Sequence, residues 1–251
     1  MAVDRARVER LTRELLEAIG EDPDRPGLKQ TPTRMGELYS EFFSGVGADA
    51  AEPLARTISV TRGPAPDTLP SGAVLLRDIR FRSVCEHHLL PFAGRAHLAY
   101  LPGEQVVGLG ALVKVVEILA SRPQVQERLG EQIADTIAGH LDTRGVLVVL
   151  DASHGCVTMR GGRQPEASTL TIAARGEYTD PVARAELITL IGASTGSATQ
   201  GVGAATQGAG ASTGSATQGG GASTSSATQG GGASTSSATH GAGTQGTGAQ
   251  G

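Results

Sequence analysis

The chain has 251 residues, with 21 Lys and Arg against 25 Asp and Glu, for a formal net charge of -4. That balance excludes a general attraction to nucleic acid or to an anionic membrane surface, so any anion site has to be built locally. No run approaches the ~18 apolar residues of a membrane span. The N-terminus, MAVDRARVERLTRELLEAIG, lacks a signal peptide's continuous apolar stretch, and only two cysteines, Cys85 and Cys156, are present. A reduced, cytoplasmic setting is expected.

Val8, Leu11, Leu15, Leu16 and Ile19 recur at helical spacing and predict an amphipathic first helix ending near Gly20. Thr31 and Pro32 form an N-cap and first-turn pair for a second helix. Its apolar face is Met35, Leu38, Tyr39 and Phe42, and it runs up to Gly45. Residues 1–45 therefore read as a helical arm, and residues 46–72, rich in Pro, Gly and Ala, as a linker to the main body. The body, 73–192, opens with AVLLRDIRFRSV and GRAHLAYLP, two strand-like runs. LGALVKVVEILASR and VQERLGEQIADTIAGHL follow as helices divided at Pro123. Then come GVLVVLDA, a buried strand, the alternating STLTIAARGEY, and a short helix around PVARAELITLI.

Strand-strand-helix-helix-strand-strand predicts an α+β domain: an antiparallel four-stranded sheet with a helix pair on one face. Its two open edges make joining of sheets between subunits plausible. From residue 193 to 251 there is no Asp, Glu, Lys or Arg, and Ala-Ser-Thr recurs at 211, 222 and 233. Such repeats have no large apolar side chain to bury, so 193–251 reads as a disordered tail.

The chemistry concentrates in CEHHLLPF, residues 85–92, and HGC, residues 154–156. Cys85 and His88 have the Cys-x2-His spacing by which one tight loop offers a thiolate and an imidazole to a metal, and Cys156 can add a second thiolate. Three protein ligands leave a fourth position for water, as in catalytic rather than structural sites. Two sulfur donors favour zinc, Zn2+, which makes hydroxide available near neutrality. His87 is an alternative ligand to His88, and otherwise a candidate proton carrier. His154, two residues from Cys156, would share its pocket in extended geometry and is a second carrier. His97 and His140 lie in ordinary strand and helix patterns and are assigned no chemistry.

At these residues the chain closely resembles the GTP cyclohydrolase I family. TPTRM, SVCEHHLLPFAGRAHLAYLP, VVGL, RPQVQERL, HGCVTMRG and STLTIAARGEY, between about Thr31 and Ile191, carry the likeness. The resemblance implies the tunnelling fold, with subunits joining sheets into a barrel, commonly a decamer with active sites between subunits. It implies hydrolysis of GTP to formate and dihydroneopterin triphosphate. Cys85, His88 and Cys156 would hold zinc, and His87 and His154 would transfer protons. Glu127 would contact guanine, Gln126 would belong to the substrate-binding set, and Arg34, Lys114 and Arg160 would contact the triphosphate.

The sequence departs from the family pattern at 108–114, GLGALVK, where the family reads Gly-Leu-Ser-Lys. Gly110 and Ala111 stand in place of Ser and Lys, and Lys114 in place of a usual Arg. Alternatives are a divergent paralogue acting on a less phosphorylated or otherwise altered purine nucleotide, and a non-catalytic zinc-containing subunit. A nitrile-reducing relative of the same fold fits less well, because both cysteines are spent on the metal motif.

Overall fold

The computed structural model describes residues 3–59, 72–159 and 164–198, with side chains to residue 192. The expected disordered tail lies almost wholly outside these, as does Arg160. Helices α1 (Arg5–Ala18) and α2 (Thr31–Phe42) form the arm. The linker stretch contains a 3-10 turn, Glu52–Ala55, and strand β1 (Thr57–Ser59). The body follows as β2 (Val74–Cys85), β3 (Pro91–Pro102), β4 (Gln105–Val107), α3 (Leu109–Ala120), β5 (Pro123–Gln124) and α4 (Gln126–His140). It ends with β6 (Thr143–His154), α5 (Gly155–Thr158), β7 (Thr169–Gly176) and α6 (Pro181–Ala198).

The four expected strands are β2, β3, β6 and β7, antiparallel throughout. A fifth was not expected: β5 adds to the sheet in parallel beside β2, giving the order β5-β2-β3-β6-β7. Pro123 does stop α3, but Pro123 itself and Gln124 are extended and paired with β2. Strands β1 and β4 make a separate two-stranded sheet.

Strand periodicity sorts the side chains into two cores. On one face Phe92, Ala96, Leu98, Tyr100, Val146, Val148 and Leu150 meet α3 and α4. Helix α4 offers Leu129, Ile133 and Ile137 at four-residue spacing, all fully buried. On the other face Ala99, Leu101, Leu147 and Val149 lie under Tyr178, Leu187 and Ile191, the last two from α6. Both sides of β6 are thus covered, which is why its sequence is a continuous apolar run rather than an alternation. The terminal helix is longer than PVARAELITLI, its backbone continuing to Ala198. The linker stretch is not merely a connection: Leu54 is 1% exposed and packs into the first core.

In the arm, Asp4 caps α1 by accepting from the Arg7 N–H at 2.9 Å. Thr31 is not an N-cap. Gln30 occupies that position without a side-chain bond, because the chain is already turning, with the Thr31 N–H donating to the Leu28 carbonyl at 2.8 Å. The apolar stripe of α1 stays open: Leu11, Leu15 and Ile19 are more than half exposed.

Candidate metal centre and proton-transfer site

Strand β2 delivers Cys85 at its last position, and β3 starts again at Pro91, opposite Val84. The loop between them closes tightly. The Cys85 N–H donates to the Leu90 carbonyl at 2.9 Å, and the Leu89 N–H to the Cys85 carbonyl at 2.8 Å. Leu89 adopts φ 53°, an uncommon conformation for a non-glycine residue that turns the chain back after His88. Strand β5 hooks this loop to the body, since Cys85 pairs with Gln124 and the Glu86 N–H donates to the Gln124 carbonyl at 3.0 Å. Arg128 on α4 completes the hook, donating to the Glu86 carboxylate and, at 3.1 Å, to Gln124 Oε1.

The third member arrives from β6. His154 is its last residue, paired with Phe92, and Gly155–Thr158 then turns as α5. The expectation that His154 and Cys156 share a face in extended geometry is therefore overturned. The chain is helical after Gly155, and it is this turn that swings Cys156 toward Cys85. Gly155 permits it: a Cβ there would meet the Pro91 carbonyl oxygen at 2.9 Å.

The outcome is a group of three donors, from Cys85, His88 and Cys156, all within 4.8 Å of one another. Tetrahedral zinc with Zn–S near 2.3 Å requires sulfurs roughly 3.8 Å apart, so only a small contraction separates this arrangement from coordination. Cys85 is buried and His88 exposed, which leaves one side open. The donor set therefore fits a three-ligand zinc site. Among the described residues it is His88 that joins the group; His87, also exposed, lies with its ring 6.4 Å from that of His88.

Beside this group, His154 is held on two sides. Its ring stacks on Phe92 with centroids 4.6 Å apart and planes 4° from parallel. Its Nε2 lies 2.7 Å from Gln126 Oε1. Burial pushes the imidazole below its ordinary pKa, with the Glu127 charge acting in the opposite direction, so the neutral ring is favoured at pH 7. Gln126, at the start of α4, is 1% exposed, and its amide nitrogen donates to the Leu150 carbonyl, the Thr169 carbonyl and Thr171 Oγ1.

Glu127, the next residue, is exposed and lines a cavity of about 300 Å³ with Gly130, Glu131, Thr171, Ile172 and Ala173. Lys114 lines a different and larger cavity of about 800 Å³, between α2, β2 and α3, where it pairs with Glu117 at 3.0 Å. Arg34 is exposed in the first turn of α2. Lys114 and Glu127 thus line separate cavities within one chain. His97 is buried, its Nδ1 accepting from the Asp78 N–H at 3.3 Å, and His140 lies at the surface against the Thr136 carbonyl. Sequence reasoning missed Phe92 and Arg128, although both stand inside the quoted motifs; what a ring stacks on, or a guanidinium hooks, depends on strand register.

Fold and site define an α+β protein with a Cys-His-Cys group that could hold a metal ion, open on one side. The family model for GTP cyclohydrolase I matches residues 8–192, and the chain belongs to that family. Among curated relatives, the GTP cyclohydrolase 1 of Leifsonia xyli is 59% identical over 189 residues, covering 75% of this chain and 96% of that protein. Those of Rhodopirellula baltica and Carboxydothermus hydrogenoformans are 52% and 50% identical, covering 80% and 96% of their own lengths. They cover 75% and 76% of this chain. Among the described residues no helix is long and apolar enough to cross a membrane.

Proposed function

We propose that this chain is a zinc-dependent GTP cyclohydrolase I, converting GTP and water to formate and 7,8-dihydroneopterin triphosphate. The observation that carries the reading is the convergence of Cys85, His88 and Cys156 within 4.8 Å, in a chain of this family. These three residues would hold zinc, which when bound supplies Lewis-acid activation of water at neutral pH.

The chain's own residues do the rest. The Glu127 carboxylate accepts from the N1 and N2 donors of guanine, and a cavity of about 300 Å³ sits at the lower end of small-molecule sites. His154, neutral and fixed in plane by Phe92, moves a proton at the imidazole of the substrate, and His87 serves as the exposed second carrier. Arg34, Lys114 and Arg160 bind the triphosphate. Because Lys114 and Glu127 line separate cavities, the complete site takes residues from neighbouring subunits. That suits a homo-oligomeric tunnelling fold, commonly a decamer, in which the stretch of β2 not paired with β5 and the edge of β7 join subunits and the open α1 stripe is covered. Two cysteines that must remain thiolates suit the cytoplasm. The division into arm (1–45), linker (46–72), catalytic body (73–192) and tail (193–251) belongs to the same reading.

One observation favours a second reading. Lys114 is already paired with Glu117 at 3.0 Å, in a segment where Gly110 and Ala111 offer neither hydroxyl nor cation. Triphosphate anchoring is then weaker, and a less phosphorylated purine nucleotide is the alternative substrate. Zinc-replete protein incubated separately with GTP, GDP and GMP distinguishes them through formate release and pterin fluorescence. Turnover strongest with GTP supports the first reading, and a preference for GDP or GMP the second. Silence with all three despite bound zinc overturns both in favour of a non-catalytic subunit.

A further inference from the structure

We infer that Gln126 is a positioning residue: its buried side-chain amide holds His154 as the Nε2–H tautomer and leaves Nδ1 as the ring's proton-accepting nitrogen. The inference rests on the proposed role of His154 in proton transfer, and it gives Gln126 a different task from the substrate binding expected of it.

The partners of the amide decide which way it faces. An amide nitrogen only donates and an amide oxygen only accepts. The Gln126 nitrogen lies 3.0 Å from the Leu150 carbonyl oxygen and 2.7 Å from that of Thr169. Neither oxygen carries a proton, so turning the amide over would set Oε1 against two lone-pair acceptors in a site that is 1% exposed. Thr171 Oγ1, at 3.2 Å, shares one of the two amide protons. The orientation is therefore settled by β6 and β7, independently of the histidine.

With Oε1 facing His154 Nε2 at 2.7 Å, that nitrogen has to carry the proton. In the neutral ring Nδ1 is then the lone pair, and it has no hydrogen-bond partner among the described residues. Phe92, stacked 4° from parallel at 4.6 Å, restrains the ring plane, so the amide and the aromatic ring together determine both tautomer and orientation. Both polar ends of Gln126 are used within the chain. For a substrate contact the side chain has left only the second lone pair of Oε1.

The test uses the full-length, zinc-loaded chain with ¹⁵N-labelled histidine, observed above pH ~8, well past the ordinary imidazole pKa of ~6.5. His154 is assigned by the signal lost in His154→Gln. A protonated Nε2 and a lone-pair Nδ1 are expected, and a neutral Nδ1–H tautomer would overturn the proposal without any other variant. Gln126→Leu adds the kinetic arm. A fall in kcat of roughly ten- to a hundredfold, with KM for GTP changed less than about threefold, is expected of a positioning residue. A raised KM with kcat unchanged identifies a substrate contact instead and overturns it. If Gln126→Leu does not fold, the wild-type spectrum decides alone. A chain that shows the Nε2–H tautomer yet releases no formate overturns the proposed activity while supporting the Gln126 assignment.

Discussion

Gly94→Ala should loosen β6, the strand that ends in His154 and leads into the turn holding Cys156. Gly94 sits in β3 opposite Ala152 of β6, and a Cβ at this position would lie 2.6 Å from Ala152 Cα and 2.7 Å from Ala152 Cβ, with the Asp151 carbonyl oxygen closer still. Ordinary contact begins near 3.4 Å, and the obstructing atoms are backbone or short side chain, so β6 has to move by more than an ångström. Overpacking of this kind costs about 3 kcal/mol. For a domain of this size that is roughly 6–12 °C in Tm. Since only Ser153 separates Ala152 from His154, and Cys156 lies in the turn that follows, zinc affinity should fall with stability. The assay is thermal unfolding with parallel zinc titration, using Gly139→Ala as control, because a Cβ at Gly139 meets nothing within 4 Å. An unchanged Tm and zinc affinity in Gly94→Ala would refute the idea that close strand approach holds the site together.

Two further outcomes are expected. Cys156→Ala removes one of three gathered donors and should abolish stoichiometric zinc, measured by elemental analysis of the purified chain; full retention of metal would remove Cys156 from the ligand set. His97 bears on acid stability. Burial lowers its pKa, opposed by the Asp78 and Asp151 charges and aided by those of Arg95 and Arg77. The unfolded chain therefore takes up this proton more readily than the folded one, so the contribution to stability is present above the ordinary imidazole pKa of ~6.5 and is lost as pH falls below it. Urea midpoints measured from pH 7 down to pH 5 should fall more steeply in the wild type than in His97→Leu, and parallel slopes would exclude His97 as the cause.

Much of this protein was legible from local pattern. The helices of the arm and body, the four long strands and their order follow from 3.6- and 2-residue periodicity, from Pro123 as a helix stop, and from β-branched runs. The metal-ligand candidates follow from the chemistry of thiolate and imidazole at short spacing, which needs no coordinates. What the sequence could not decide depends on residues distant along the chain. Strand β5 exists because Gln124 meets Cys85, a pairing invisible to any local window. Thr31 looked like a cap, but the turn before it was already made by Leu28. Cys156 reaches Cys85 through a helical turn rather than by strand alternation, since Gly155 must pass close to the Pro91 backbone. Most plainly, the sequence by itself determined which side chains can bind a metal or move a proton. Only the tertiary structure decided how Gln126 faces, because two carbonyl oxygens from β6 and β7 choose which end of its amide is left for His154.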